Sequence, residues 1–239
     1  MSWLRTNGLR LAVHIGALVP LGVIILDNYR YNLTANPIQE ITVRTGKAAL
    51  VLLVLSLACT PLNTVFGFRQ ALRVRRALGL YGFMYVVLHL AVFAVLDYGL
   101  DLQMIGQTIV EKYYIIAGFL AFLILIPPAV TSTRGWMARL GKRWKSLHKL
   151  VYLAVPLAVM HFALLVKSLS SRPEPLIFGA ATIALLALRI SGVRRASAHC
   201  ASKARYYFRS TVKPTPRQAG WPTGNRSGHP PEDAISRTA

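Results

Sequence analysis

Residues 113–133 read YYIIAGFLAFLILIPPAVTST, twenty-one positions without a charged side chain. A hydrocarbon core about 30 Å thick takes roughly 20 helical residues to cross. Inside it every backbone N–H and C=O needs a partner within the segment, which a helix supplies. The run is therefore predicted to be a transmembrane helix. Runs of the same kind recur at 11–26, 48–68, 77–96, 150–166 and 175–188. The first and last are short, and Arg10 and Arg189 extend them if their guanidinium groups reach toward the headgroups. The expectation is an all-α membrane protein: a six-transmembrane-helix bundle over residues 1–190, then a basic tail over 191–239. Composition agrees, with 54% of the 239 residues hydrophobic and 15% charged, against about 25% charged in soluble domains.

The chain carries 28 Lys and Arg against 8 Asp and Glu, a net charge of +20. The charge alone would suggest a nucleic-acid partner, but its placement argues otherwise. With the N-terminus inside, the inner segments (1–10, 69–76, 134–149 and 189 onward) hold 22 basic residues and two acids, Glu232 and Asp233. The outer segments hold six of each sign. The whole excess falls on one side, as the positive-inside rule requires, and contact with anionic lipid headgroups accompanies it. No small-residue cleavage site follows Leu26, where the sequence reads Asp27-Asn28-Tyr29-Arg30, so the first helix is expected to be retained. Beyond Ser191, Ser, Arg, Pro and Gly replace the apolar runs, and disorder is expected past about Thr211. Cys59 and Cys200 both fall on the inner side, so no structural disulfide is expected. No C-x-x-C-H motif attaches a haem covalently. No internal repeat is visible in the sequence.

Chemistry then rests on histidine. His199 and His229 lie in the tail, whereas His14, His89, His148 and His161 lie in or beside the apolar runs. An imidazole within a span is costly and marks a functional position by default, its structural alternative being an interhelical hydrogen bond. His89 is 12 residues past Ala77, about 18 Å along its helix, and His161 is 13 residues past His148, about 20 Å in the same direction. The two reach similar depth. Two neutral imidazoles facing each other at one level are what a six-coordinate, non-covalently held haem iron requires. His148 marks a second level near the inner face. Its counterpart on the third helix, thirteen or fourteen residues before His89, would be Arg76 or Arg75, and a guanidinium is a poor iron ligand, better suited to propionates or lipid phosphates. His14 is the remaining imidazole at that depth. On a straight helix His148 and His161 also stand about 140° apart, a relation that Pro156 between them can alter.

The segments RRALGLYGFMYVVLHLAVF (75–93), TSTRGWMARLGKRWKSLHKLVY (131–152) and MHFALLVK (160–167), with NPIQEITVRTG (36–46) and CTPL (59–62), closely resemble the MsrQ family, formerly YedZ, over roughly residues 5–190. These are haem-binding membrane subunits of the bacterial periplasmic methionine sulfoxide reductase system, in the ferric-reductase-like transmembrane group. The resemblance implies a haem-binding six-helix bundle in the bacterial inner membrane, with both termini cytoplasmic. It implies that His89, His148 and His161 are haem ligands, that the haem is of b type, one with a second open, and that FMN is a further cofactor. It also implies outward electron transfer from the quinone pool or a cytoplasmic flavin reductase to a periplasmic molybdopterin-containing catalytic subunit. The chain itself has no Gly-rich dinucleotide motif, and about 50 tail residues are too few for flavin and nicotinamide domains. It is expected to carry electrons rather than to reduce the sulfoxide. A transmembrane ferric or metal reductase, or a histidine-dependent transporter without haem, stands as the alternative.

Weaker signals remain. Tyr113, Tyr114, Trp136 and Trp144 fall near helix ends, where aromatic rings anchor at the headgroup level. Gly79, Gly82 and Gly118 permit close approach of a helix or a porphyrin. Pro127-Pro128 is expected to end the fourth helix.

Overall fold

The computed structural model describes residues 2–166 and 173–189, with side chains from Gly8 onward. The tail residues His199, Cys200 and His229, and the loop cations Lys167 and Arg172, lie outside the described residues. Those described are helical, without strands: α1 (Ser2–Tyr29), α2 (Pro37–Phe66), α3 (Arg69–Ala91), α4 (Leu102–Glu111), α5 (Tyr113–Val130), α6 (Arg134–Leu140), α7 (Lys142–Leu147), α8 (Val151–Leu165) and α9 (Glu174–Ala187). Five are long and apolar enough to cross a membrane: α1, α2, α3 with its extension to Asp97, α5, and α7 with α8. The sixth expected span, α9, is a shorter apolar helix of 14 residues, about 21 Å long.

Two antiparallel hairpins, α2–α3 and α5–α8, form the body of the bundle, with α1 against α2 and α3, and α9 against α8 and α2. The first hairpin turns at Gly67, whose φ of 71° is the left-handed conformation that glycine adopts without strain, and its N–H closes on Asn63 O. Lipid tails are as apolar as leucine, so helices associate through close packing. Small residues permit it here: Ala48, Ala49, Ala71, Ala117, Ala121 and Ala154 are buried. A Cβ on Gly82 would lie 2.9 Å from Leu53 Cγ. Leu53, Leu57, Leu125, Ala154 and Val155 join the two hairpins in one buried cluster. Leu11, Ile15, Val19 and Ile183 are exposed, the outward apolar face that a bilayer covers.

Tyr85 links α1 to α3. It is fully buried, and its hydroxyl accepts from Leu21 N at 2.9 Å while donating to Ala17 O at 2.8 Å. Pro20 lies beside this point inside α1. The phenol thus bridges two backbone groups one helical turn apart. One turn away His14 Nδ1 meets Tyr81 OH at 2.9 Å.

Charged groups sort to the ends. Arg44 pairs with Asp27 and Glu40, and Lys47 with Glu174 at 2.6 Å. At the arginine-rich end Arg189 turns inward: its guanidinium stacks 4.3 Å over the Tyr152 ring and donates to Leu57 O at 2.7 Å.

Three local features go beyond or differ from expectation. Residues 102–111, between two expected spans, form a helix capped by Asp101, whose carboxylate accepts from Gln103 N and Met104 N. Pro127 and Pro128 do not end their helix; α5 continues to Val130, and Thr131 N still closes on Pro127 O at 3.0 Å. Proline removes its own N–H but keeps its carbonyl as an acceptor. Finally, α3 passes into a π-helical turn over Val92–Asp97 immediately after His89.

Candidate functional site

His89 lies near the end of α3 and His161 near the end of α8, on the helices that close the two hairpins. Their ring centroids are 6.2 Å apart and their planes cross at 81°. His89 Nδ1 is 2.8 Å from Thr42 O on α2, and His161 Nδ1 is 2.6 Å from Tyr114 O on α5. A carbonyl can only accept, so each Nδ1 carries the proton and each Nε2 holds a free lone pair in the neutral ring. Among the described residues neither Nε2 has a hydrogen-bond partner. Each ring also lies against a glycine. A Cβ on Gly46 would stand 3.1 Å from His89 Nδ1, and one on Gly118 would stand 2.8 Å from His161 Nδ1.

Both histidines open on one cavity of about 510 Å³, enclosed by α2, α3, α4, α5 and α8. Its walls include Leu50, Val86, Phe93 and Phe122, while Lys47 and Lys112 stand among its polar residues. That volume lies within the range of about 300–1,000 Å³ usual for cofactor pockets. The π-helical turn contributes Phe93, Ala94 and Asp97 to the wall, a position where such turns frequently serve sites.

The arrangement fits a haem. Two imidazoles on opposite sides of one iron place their centroids about 6 Å apart, from two bonds of about 2 Å and two ring radii of about 1 Å, and 6.2 Å is the observed spacing. No group of three or more His, Cys, Asp or Glu side chains able to hold a bare ion occurs among the described residues. The two imidazole nitrogens would suit a metal whose other ligands come from a macrocycle.

His148 is placed apart from this pair, in a 3-10 turn before α8. Its ring lies 4.1 Å from that of Trp144, and its Nε2 is 3.3 Å from Ser132 Oγ, whose own proton goes to Pro128 O. Nε2 is therefore the donor, and Nδ1 is buried without a hydrogen-bond partner. Arg75 and Arg76 are near enough to act on this imidazole electrostatically. Arg75 donates to Thr60 Oγ1 at 3.2 Å. His14, the candidate partner for this level, is engaged with Tyr81 instead. Of the four aromatics expected as interface anchors, Tyr113 is exposed and Trp136 largely so. Trp144 instead covers His148 and donates to Thr131 O at 3.0 Å, while the Tyr114 ring sits 5.9 Å from that of His161. Sequence reasoning missed Gly46 and the Thr42 and Tyr114 carbonyls. Backbone acceptors leave no residue-type signal, and a glycine in an apolar helix reads as packing.

The fold that carries these paired imidazoles is of the ferric-reductase-like transmembrane class, as comparison with known families shows. The family described as "Ferric reductase like transmembrane component" matches residues 45–159, which hold His89 and His148. The chain is also similar to "Protein-methionine-sulfoxide reductase heme-binding subunit MsrQ" of Rhodospirillum rubrum, with 45% identity over 191 residues, 78% of this chain and 89% of the relative. The subunits of the same name from Caulobacter vibrioides and Herminiimonas arsenicoxydans are 40% and 39% identical, covering 77% and 74% of this chain and 87% and 81% of theirs. The chain belongs to the MsrQ family and is a multi-pass membrane protein.

Proposed function

We propose that this chain holds one haem b between His89 and His161 and is the membrane electron-transfer subunit of a protein-methionine-sulfoxide reductase system. The observation that carries the proposal is the imidazole pair, with centroids 6.2 Å apart and both Nδ1 atoms committed to backbone carbonyls. When bound, the haem would be held by His89 and His161 and would supply one-electron transfer. The residues do the rest. Thr42 O and Tyr114 O fix each ring's tautomer and orientation, as outer-shell acceptors do for metal-bound histidine. The apolar wall excludes water, and Lys112 offers positive charge to a propionate, Lys47 being paired with Glu174.

In this proposal electrons enter from quinol or a cytoplasmic flavin reductase at the arginine-rich end, which faces the cytoplasm of a bacterial inner membrane by the charge rule. They leave outward to a periplasmic molybdopterin-containing catalytic subunit that repairs oxidised methionine. The chain is not itself catalytic on the sulfoxide. Residues 1–190 are the electron-carrying unit, and 191–239 are a basic tail. His148 belongs to the donor level. A second haem there needs a second imidazole, and His14, His89 and His161 are all engaged elsewhere. FMN rests on family membership with no residue assigned to it.

The test is reoxidation. The purified subunit is reduced with dithionite, freed of excess reductant, and mixed with the molybdopterin sulfoxide reductase of the same organism and a methionine-sulfoxide protein. With the sulfoxide reductase in substoichiometric amount, the haem bands should return fully to the oxidised form only when the methionine-sulfoxide protein is also present. Bands that stay reduced, or that reoxidise equally with ferric chelate alone, would overturn the proposed acceptor.

A further inference from the structure

The two imidazole sites are related by one number. Adding 72 to Thr42, Gly46 and His89 gives Tyr114, Gly118 and His161, which are the carbonyl acceptor, the glycine under the ring and the histidine of the second site. The same shift carries Thr45, Ala49 and Leu53 to Ala117, Ala121 and Leu125, and all six are buried. It also carries Gly82, packed on Leu53, to Ala154, which shares a buried cluster with Leu125. One register thus superposes α2 on α5 and the ring-bearing helix α3 on α8, although side-chain identity across it is too low to show as a sequence repeat. The register holds at the histidine-pair level and breaks at the other, where Arg76 answers to His148.

We propose that α2–α3 and α5–α8 are two copies of one histidine-holding hairpin, and that Gly46 and Gly118 are its positioning residues. The inference rests on the haem reading above and assigns to it two residues that touch the imidazoles and not the iron. In each copy the acceptor carbonyl lies four residues before the glycine, one helical turn away on the same face. The ring that meets that carbonyl also lies against the glycine. A side chain at the glycine crowds the Nδ1–Cε1 edge, displacing the ring from its carbonyl by an amount set by the clearance, and Nε2 moves with it. The two positions differ in tightness. At Gly118 an added Cβ would meet Nδ1, Cε1 and Cγ at 2.8, 3.0 and 3.1 Å, closer than unbonded atoms tolerate. At Gly46 the corresponding distances are 3.1, 3.2 and 3.9 Å, which a shift of a few tenths of an ångström relieves.

The test compares the full-length wild type with Gly118→Ala, Gly46→Ala and the control Gly16→Ala, whose Cβ would meet nothing within 4 Å. Haem per polypeptide, the low-temperature electron paramagnetic resonance spectrum and the midpoint potential are measured on detergent-purified protein. Loss of an outer-shell partner of a metal-bound histidine typically weakens binding about 10- to 100-fold. Gly118→Ala should accordingly retain a tenth or less of the wild-type haem after gel filtration, or convert it to a high-spin form. Gly46→Ala should keep its haem with shifted g-values and an altered potential, and Gly16→Ala should match the wild type. A purely structural role would lower thermal stability without moving the g-values of the haem that remains. Gly46→Ala and Gly118→Ala spectra identical to wild type overturn the inference. If Gly118→Ala fails to accumulate in the membrane, an unaltered Gly46→Ala spectrum alone overturns it. A wild type without haem overturns the haem reading and this inference together. A haem-loaded wild type with unaltered glycine variants overturns the inference alone.

Discussion

Replacing Tyr85 with phenylalanine removes one oxygen from a fully buried ring and leaves its volume nearly unchanged. The effect should therefore isolate the hydrogen bonds. Two are lost, from Leu21 N at 2.9 Å and to Ala17 O at 2.8 Å. Both bonds are to backbone groups of α1 one helical turn apart, beside Pro20. An unsatisfied buried group costs about 1–3 kcal/mol in water-soluble proteins, while interhelical bonds in membranes average about 0.6 and reach about 1.7 kcal/mol. With two groups affected, Tyr85→Phe should destabilise the protein by roughly 1–3 kcal/mol, which is about a 5- to 140-fold shift in the unfolding equilibrium. The assay is reversible denaturation in mixed micelles, followed by circular dichroism, with haem per polypeptide measured in parallel. Haem content should stay at the wild-type level, because Tyr85 is not among the residues lining the histidine cavity. A change below about 0.5 kcal/mol would refute the view that the phenol completes the hydrogen bonding of α1 at its proline.

Further outcomes follow from the same geometry. His89→Ala and His161→Ala should each insert normally and lose the haem, read as absorbance per polypeptide, whereas His148→Ala should keep it; equal loss in all three would assign His148 to the same centre. Leu53→Ala opens a cavity where the two hairpins meet and should cost about 2–5 kcal/mol in the same denaturation assay. Glu174→Gln, which breaks a half-exposed ion pair with Lys47, should change stability by less than about 1 kcal/mol.

Much of this was legible in the sequence for a physical reason. Apolar runs such as 113–133 must be helices, since lipid offers their backbone no partner. The depth match of His89 and His161 follows from a rise of 1.5 Å per residue and is met by rings 6.2 Å apart. What stayed hidden was carried by backbone atoms or by tertiary contact. Nothing in the types of Thr42 and Tyr114 announces that their carbonyls hold imidazoles, and Gly46 looks like any small residue in a span. Trp144 has the composition and position of an interface anchor, yet its ring covers His148. The short helix at 102–111 was obscured because its pattern is too brief to stand out from a polar loop, although Asp101 at its cap was a usable signal.

The central claim is that two imidazoles near the ends of α3 and α8 hold one haem iron. A reduced-minus-oxidised absorption spectrum of the detergent-purified protein, with extracted haem counted per polypeptide, tests it most directly. The account predicts sharp low-spin b-type bands at one haem per chain, absent from both His89→Ala and His161→Ala. A colourless protein from cells amply supplied with haem, or low-spin bands that survive in both variants, would contradict it.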